Sequence, residues 1–197
     1  MNRNYNRQHE LYAVQPVLVI LVGLPGSGKS TFSRYLYETA YYRVRRGNFL
    51  NDRGWRIFNQ DQLGDRRTCE RVAANHLRRG ENVIIDRCNI NSRQRSTWIA
   101  MGQRFHASVA SVYFDVQLNV CLRRVSLRED HQTLNRWSNN IEEVIVGFLR
   151  DLQPPDFSEG INVCFTCHET PSNIERIIGF ILELPDSTTN SSVIEIE

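Results

Sequence analysis

Residues 16–30 read PVLVILVGLPGSGKS, and the organisation of the chain follows from this stretch. The apolar run 16–22 is too short for a buried helix and rich in β-branched residues, which predicts a strand covered on both faces. Gly23-Leu24-Pro25-Gly26-Ser27-Gly28-Lys29-Ser30 then matches G-x-x-x-x-G-K-[ST], placed between that strand and a helix expected over about 30–42. Glycines in such a turn let backbone N–H groups converge on a phosphate, and the following helix adds the positive end of its dipole. Pro25, Gly26, Ser27, Gly28, Lys29, Ser30 and Thr31 are therefore the candidate nucleotide-binding residues. Lys29 is expected to reach the β and γ phosphates, and Ser30 to offer its hydroxyl to Mg²⁺.

The rest of the chain repeats the alternation of strand and helix. Strands are expected at 55–59, 82–86, 107–115 and 161–167. Helices are expected at 67–79 (ending at Gly80), from a Ser92 cap to about 105, and at 118–127, 141–152 and 172–184. Apolar strands separated by helices call for a mainly parallel five-stranded sheet with helices on both faces, so the expected class is α/β. The expected domain spans 15–185, between a loose segment at 1–14 and a flexible acidic tail at 186–197.

Two carboxylates follow strands that run beside the phosphate turn. Asp61 comes after the second strand and Asp86 ends the third, so both are expected at the ligand-bearing edge of the sheet. A carboxylate at the end of an apolar strand suits a metal or a substrate proton, either of which compensates its desolvation. Asp86 is the candidate metal residue beside Ser30.

Charge is distributed unevenly. Residues 1–136 hold 22 basic against 11 acidic residues, and residues 137–197 hold 2 against 11, within a net charge of only +2. The basic part is suited to a polyanion. Arg45 and Arg46 before Asp61, Arg66 and Arg67 after it, and Arg87 beside Asp86 are candidate contacts to the phosphates of an acceptor. Arg123, Arg124 and Arg128 end a helix and begin a polar connection, a pattern suited to a cationic lid over phosphates. Arginine supplies 23 of the 24 basic residues, and the single lysine is Lys29. A compact ammonium and a planar guanidinium are not interchangeable in a phosphate turn, so the one lysine falls where the motif demands it.

The run Cys164-Phe165-Thr166-Cys167-His168 has the letters of a haem-attachment or zinc motif. In a strand, however, positions i and i+3 point to opposite faces, which separates the two thiols. Five cysteines at scattered spacings do not suggest a disulfide framework, and no apolar run is long enough to span a bilayer. A cytoplasmic or nuclear location is the resulting expectation.

Taken together, GLPGSGKST, FNQDQLGDRRTCE, VIIDRCNINSRQRSTW and the arginine connection with HQT resemble the P-loop kinases of the polynucleotide 5′-hydroxyl kinase type over about residues 16–185. The resemblance implies a P-loop kinase fold with a short arginine-bearing lid, and ATP with Mg²⁺. It implies that Asp61 is the general base and that Arg128, with Arg124 one turn earlier, contacts the ATP phosphates. The implied acceptor is the 5′-OH of RNA or DNA, with single-stranded or end-exposed nucleic acid as the partner. Position 64 is glycine where some members carry a substrate-gripping arginine, and HQT stands where many have HPT. A kinase acting on a nucleoside, sugar or antibiotic, and an ATP-dependent switch without an acceptor, stay open alongside.

Overall fold

In the computed structural model, which describes residues 15–46, 54–59, 64–127 and 140–184, five strands and six helices alternate along the chain. They are β1 (Val17–Val22), α1 (Lys29–Arg45), β2 (Trp55–Phe58), α2 (Arg66–Arg78), β3 (Asn82–Ile85) and α3 (Ser92–Arg104). Then follow β4 (Ser108–Phe114), α4 (Leu118–Ser126), α5 (Ile141–Asp151), a 3₁₀ turn at Phe157–Glu159, β5 (Val163–Cys167) and α6 (Pro171–Glu183). The proposed end segments 1–14 and 186–197 lie outside the described residues, as do Asp61 and Arg128.

The strand order is β2-β3-β1-β4-β5, and all four pairings are parallel. The expected α/β class holds, and the sheet is wholly parallel. All six residues of β1 are inaccessible to solvent, because the strand is central and both its faces are covered. Alternation divides them: Val17, Val19 and Leu21 join the layer with α1 and α6, whereas Leu18, Ile20 and Val22 join the layer with α2 and α3. A smaller cluster of Leu24, Cys121, Val125 and Ile145 seats α4 and α5 beneath the turn after β1.

This order decides where a ligand can sit. The chain passes from β3 over β1 to β4, so the end of β1 is the point where the strands on either side diverge, and a crevice opens there. Among the described residues no helix is long and apolar enough to cross a membrane.

Two local expectations need correction. Asn91, not Ser92, caps α3: its backbone is extended and its side chain accepts from the Gln94 N–H at 3.0 Å, while Ser92 is already helical. α1 also runs past residue 42 to Arg45, because the next residues favour helix and nothing in them stops it. The consequence for Arg45 and Arg46 is large. A rise of about 1.5 Å per residue sets them roughly 24 Å from the start of the helix, so they lie at the opposite end of α1 from the phosphate turn.

Candidate active site

The turn between β1 and α1 is held by its own lysine. Lys29 is only 7% exposed, and its ammonium donates to the carbonyls of Gly23 at 3.0 Å and Leu24 at 2.7 Å and to Ser27 Oγ at 3.3 Å. Gly28 precedes α1 with φ of 96°, in the left-handed region, and no side chain caps the helix. The first N–H groups of α1 are thus left for a ligand, and its first turn carries no acid to compete. Gly26 has φ of 84°, and a Cβ there would stand 2.5 Å from the Cys121 carbonyl oxygen, so the turn is packed directly on α4.

Asp86 follows β3, 6% exposed, and accepts from Ser33 Oγ at 3.3 Å. Burial pushes its carboxyl above the ordinary value; hydrogen bonds from Ser30, Ser33 and Asn59 and the charge of Lys29 act the other way. A buried carboxylate hydrogen-bonded to the serine after the motif lysine has the right donors for Mg²⁺: hard oxygens at one edge of a phosphate site. The donor set therefore fits the metal.

The segment after Asp86 ties β3 to the phosphate turn. The Gly23 N–H donates to the Cys88 carbonyl at 3.0 Å, and Asn89, buried and at φ of 44°, donates through Nδ2 to the Leu21 carbonyl at 2.8 Å. Behind it lies a group the sequence reading missed. Arg95 is fully buried, paired through Nε and Nη2 with Glu159 at 2.8 and 2.6 Å. It donates further to the carbonyls of Asn89, Gln153 and Pro154. Its letters lie inside VIIDRCNINSRQRSTW, but no local pattern shows that a helical arginine will turn inward to a glutamate 64 residues away.

Arg87 follows Asp86 at the end of β3 and is half-buried. Burial first, and the nearby Arg66 guanidinium second among the lowering effects, hold Arg87 below its ordinary value. Arg66 is braced by Glu70 and by Thr97, each at 2.6 Å. Arg67 is exposed on the first turn of α2. Arg45 and Arg46 are not part of this group, for the reason of helix length given above.

Arg124 ends α4, pairs with Glu169 beyond β5, and reaches the Gly26 carbonyl at 3.5 Å. A cleft of about 400 Å³ opens beside the turn, lined among others by Thr31, Tyr35, Phe114, Arg124, Glu169 and Ile174. Glu169, in the turn after β5, borders this cleft; neither it nor Tyr35 was among the candidate residues of the sequence. The two thiols of the decoy motif separate as expected, with Cys167 in the layer of α1 and α6 and Cys164 packed against the other.

The sequence and the fold have counterparts among known proteins. A family model described as an AAA domain matches residues 18–155. Transcription factor bHLH140 of Arabidopsis thaliana is 30% identical over 152 residues, which is 77% of this chain and 16% of that protein. The bifunctional polynucleotide phosphatase/kinase of Schizosaccharomyces pombe is 29% identical over 96 residues, 49% of this chain and 20% of that protein. The chain thus spans at most a fifth of the length of either relative. A crystal structure of Chaetomium thermophilum Kti12 in complex with ADP-AlF3 shares the fold with a TM-score of 0.66, covering 85% of this chain and 98% of that one at 14% identity.

Proposed function

The chain belongs to the AAA domain family, and from that premise we propose that it transfers the γ-phosphoryl group of ATP to a hydroxyl, the acceptor being the 5′-OH of an RNA or DNA strand. The observation that carries the reading is the joint placement of Lys29, the open N-terminus of α1 and buried Asp86 at one sheet edge. The ADP-AlF3 bound to Kti12, a protein of the same fold, supports a nucleotide as the ligand. The likeness to a polynucleotide phosphatase/kinase and the position of Arg87 directly after buried Asp86 support a phosphate-bearing acceptor.

In this reading the β and γ phosphates lie over the backbone N–H groups of residues 26–31. The Lys29 ammonium then exchanges its carbonyl contacts for phosphate oxygens. Arg124, steadied by Glu169, flanks the same space and bears charge that develops on the transferred group. Ser30 and Asp86 would hold Mg²⁺, which supplies charge neutralisation at the phosphate oxygens when bound. Asp61, three residues beyond β2 in sequence, is the proposed acceptor of the proton of the attacking hydroxyl, and Arg128 the proposed second arginine for the ATP phosphates. Arg66, Arg67 and Arg87 orient the acceptor through its own phosphates.

γ-Labelled ATP offered to 5′-OH oligonucleotides, a nucleoside panel and no acceptor tests this. The expected result is label in the oligonucleotide alone. Label in a nucleoside, or phosphate released at the same rate without acceptor, overturns the polynucleotide reading.

A further inference from the structure

Helix α1 carries a second feature, which runs from Tyr35 at the cleft to the far end of the helix. Four of the chain's seven tyrosines lie on it, and all four, Tyr35, Tyr37, Tyr41 and Tyr42, are substantially exposed. They take no part in the buried side, which is formed by Phe32, Leu36 and Ala40. Exposed aromatic side chains gathered on one helix have a cost in solubility that packing does not explain. Arginines alternate with them: Arg34, Arg45 and Arg46 are exposed, and Glu38 is the only acid on the helix.

The far half of the helix arranges these groups for use. Tyr42 is 61% exposed and Tyr41 47%, with their rings edge to face at 5.7 Å. The Arg45 guanidinium lies 5.2 Å from the Tyr41 ring centre. A cation held over one ring beside a second, open ring provides both things a single strand needs: a flat surface for a base and positive charge for the adjoining phosphates. A lipid surface or an apolar protein partner would call for aliphatic residues here, and the far half of α1 exposes only Val44.

We propose that the Tyr41, Tyr42, Arg45 and Arg46 surface of α1 is a binding site for single-stranded nucleic acid, separate from the phosphate turn. Tyr42 lies 13 residues past Lys29, roughly 20 Å along the helix. Occupation of this surface needs neither ATP nor a free 5′-OH, so the inference does not depend on the transfer reaction and goes beyond it.

The test is binding of a 5′-phosphorylated, labelled oligothymidylate by fluorescence anisotropy, without ATP and at several salt concentrations. Such a strand cannot be an acceptor, which separates this result from any result on phosphoryl transfer. Tyr41→Ala with Tyr42→Ala is expected to weaken binding by about tenfold or more, whereas Tyr41→Phe with Tyr42→Phe keeps it, because the stacking face remains. Arg45→Ala with Arg46→Ala is expected to reduce the log-log salt slope by about 1.4. Nucleotide affinity is expected to be unchanged in all three. Wild-type affinity in both alanine pairs overturns the proposal. So does binding lost only when Arg66 and Arg87 are replaced, or a tyrosine surface whose replacement abolishes self-association and leaves strand binding intact.

Discussion

Lys29 and Asp86 are both more than nine-tenths buried at the phosphate turn, the Lys29 ammonium resting on the Gly23 and Leu24 carbonyls and the Asp86 carboxylate accepting from Ser33. The space around the Lys29 ammonium is closed by two carbonyls and a serine hydroxyl, which a forked guanidinium cannot fit. Lys29→Arg is therefore expected to lose phosphoryl transfer by about a hundredfold or more, as Lys29→Ala does, measured with labelled ATP. Burial pushes the Asp86 carboxyl above its ordinary value. Its native carboxyl keeps a proton that the unfolded chain has already released, so the metal-free protein loses stability as pH rises from the ordinary carboxylate value through the raised one. Asp86→Asn removes that loss. Thermal unfolding of the variant is expected at a higher temperature than wild type near neutral pH, the difference closing as pH falls below the ordinary carboxylate value, while transfer is lost. A variant less stable than wild type at neutral pH would contradict the balance assigned here. Lys29 was legible from the sequence because a single lysine in 197 residues stood in a recognisable turn. Ser33 and Glu169 were not, since a serine one turn into a helix and a glutamate in a loop carry no signal until the strands are placed.

The segment after β3 gains its rigidity from α3 and the 3₁₀ turn. All five N–H directions of Arg95 have partners, two on Glu159 and three on backbone carbonyls. Removing the arginine leaves the half-buried Glu159 carboxylate and those carbonyls without this partner. Arg95→Ala is expected to cost about 3–5 kcal/mol in chemical denaturation, the scale for breaking one side of a buried pair. Asn89 links the same segment to β1, so Asn89→Ala, which orphans the Leu21 carbonyl at a left-handed position, is expected to cost about 1–3 kcal/mol. A cost under that range in both would show that the strand ends are positioned by packing alone. Strand and helix existence was readable for these elements because apolar runs and periodicity are local. The cap at Asn91, the inward turn of Arg95 and the length of α1 depended on contacts or continuation beyond any short window, and the last moved Arg45 and Arg46 away from the groove where sequence proximity had placed them.

Across the whole molecule the parallel sheet assembles one working edge from distant parts of the chain: the turn after β1, Asp86 after β3, Arg124 at the end of α4 and Glu169 after β5. The alternation of elements made this edge predictable, because parallel strands joined by helices must end on the same side. Which strands neighbour one another, and so which residues meet, was not contained in the alternation itself. The basic excess of residues 1–136 suits a polyanion without locating a place for one; the structure sets Arg45 and Arg46 at the far end of α1, Arg66 at the start of α2 and Arg87 after β3. The most direct measurement is the mass of a 5′-OH oligonucleotide after incubation with the protein, ATP and Mg²⁺. The account predicts the gain of one phosphate at the 5′ end, absent when that end is already phosphorylated. An unmodified oligonucleotide, with ATP consumed equally whether or not it is present, would contradict it.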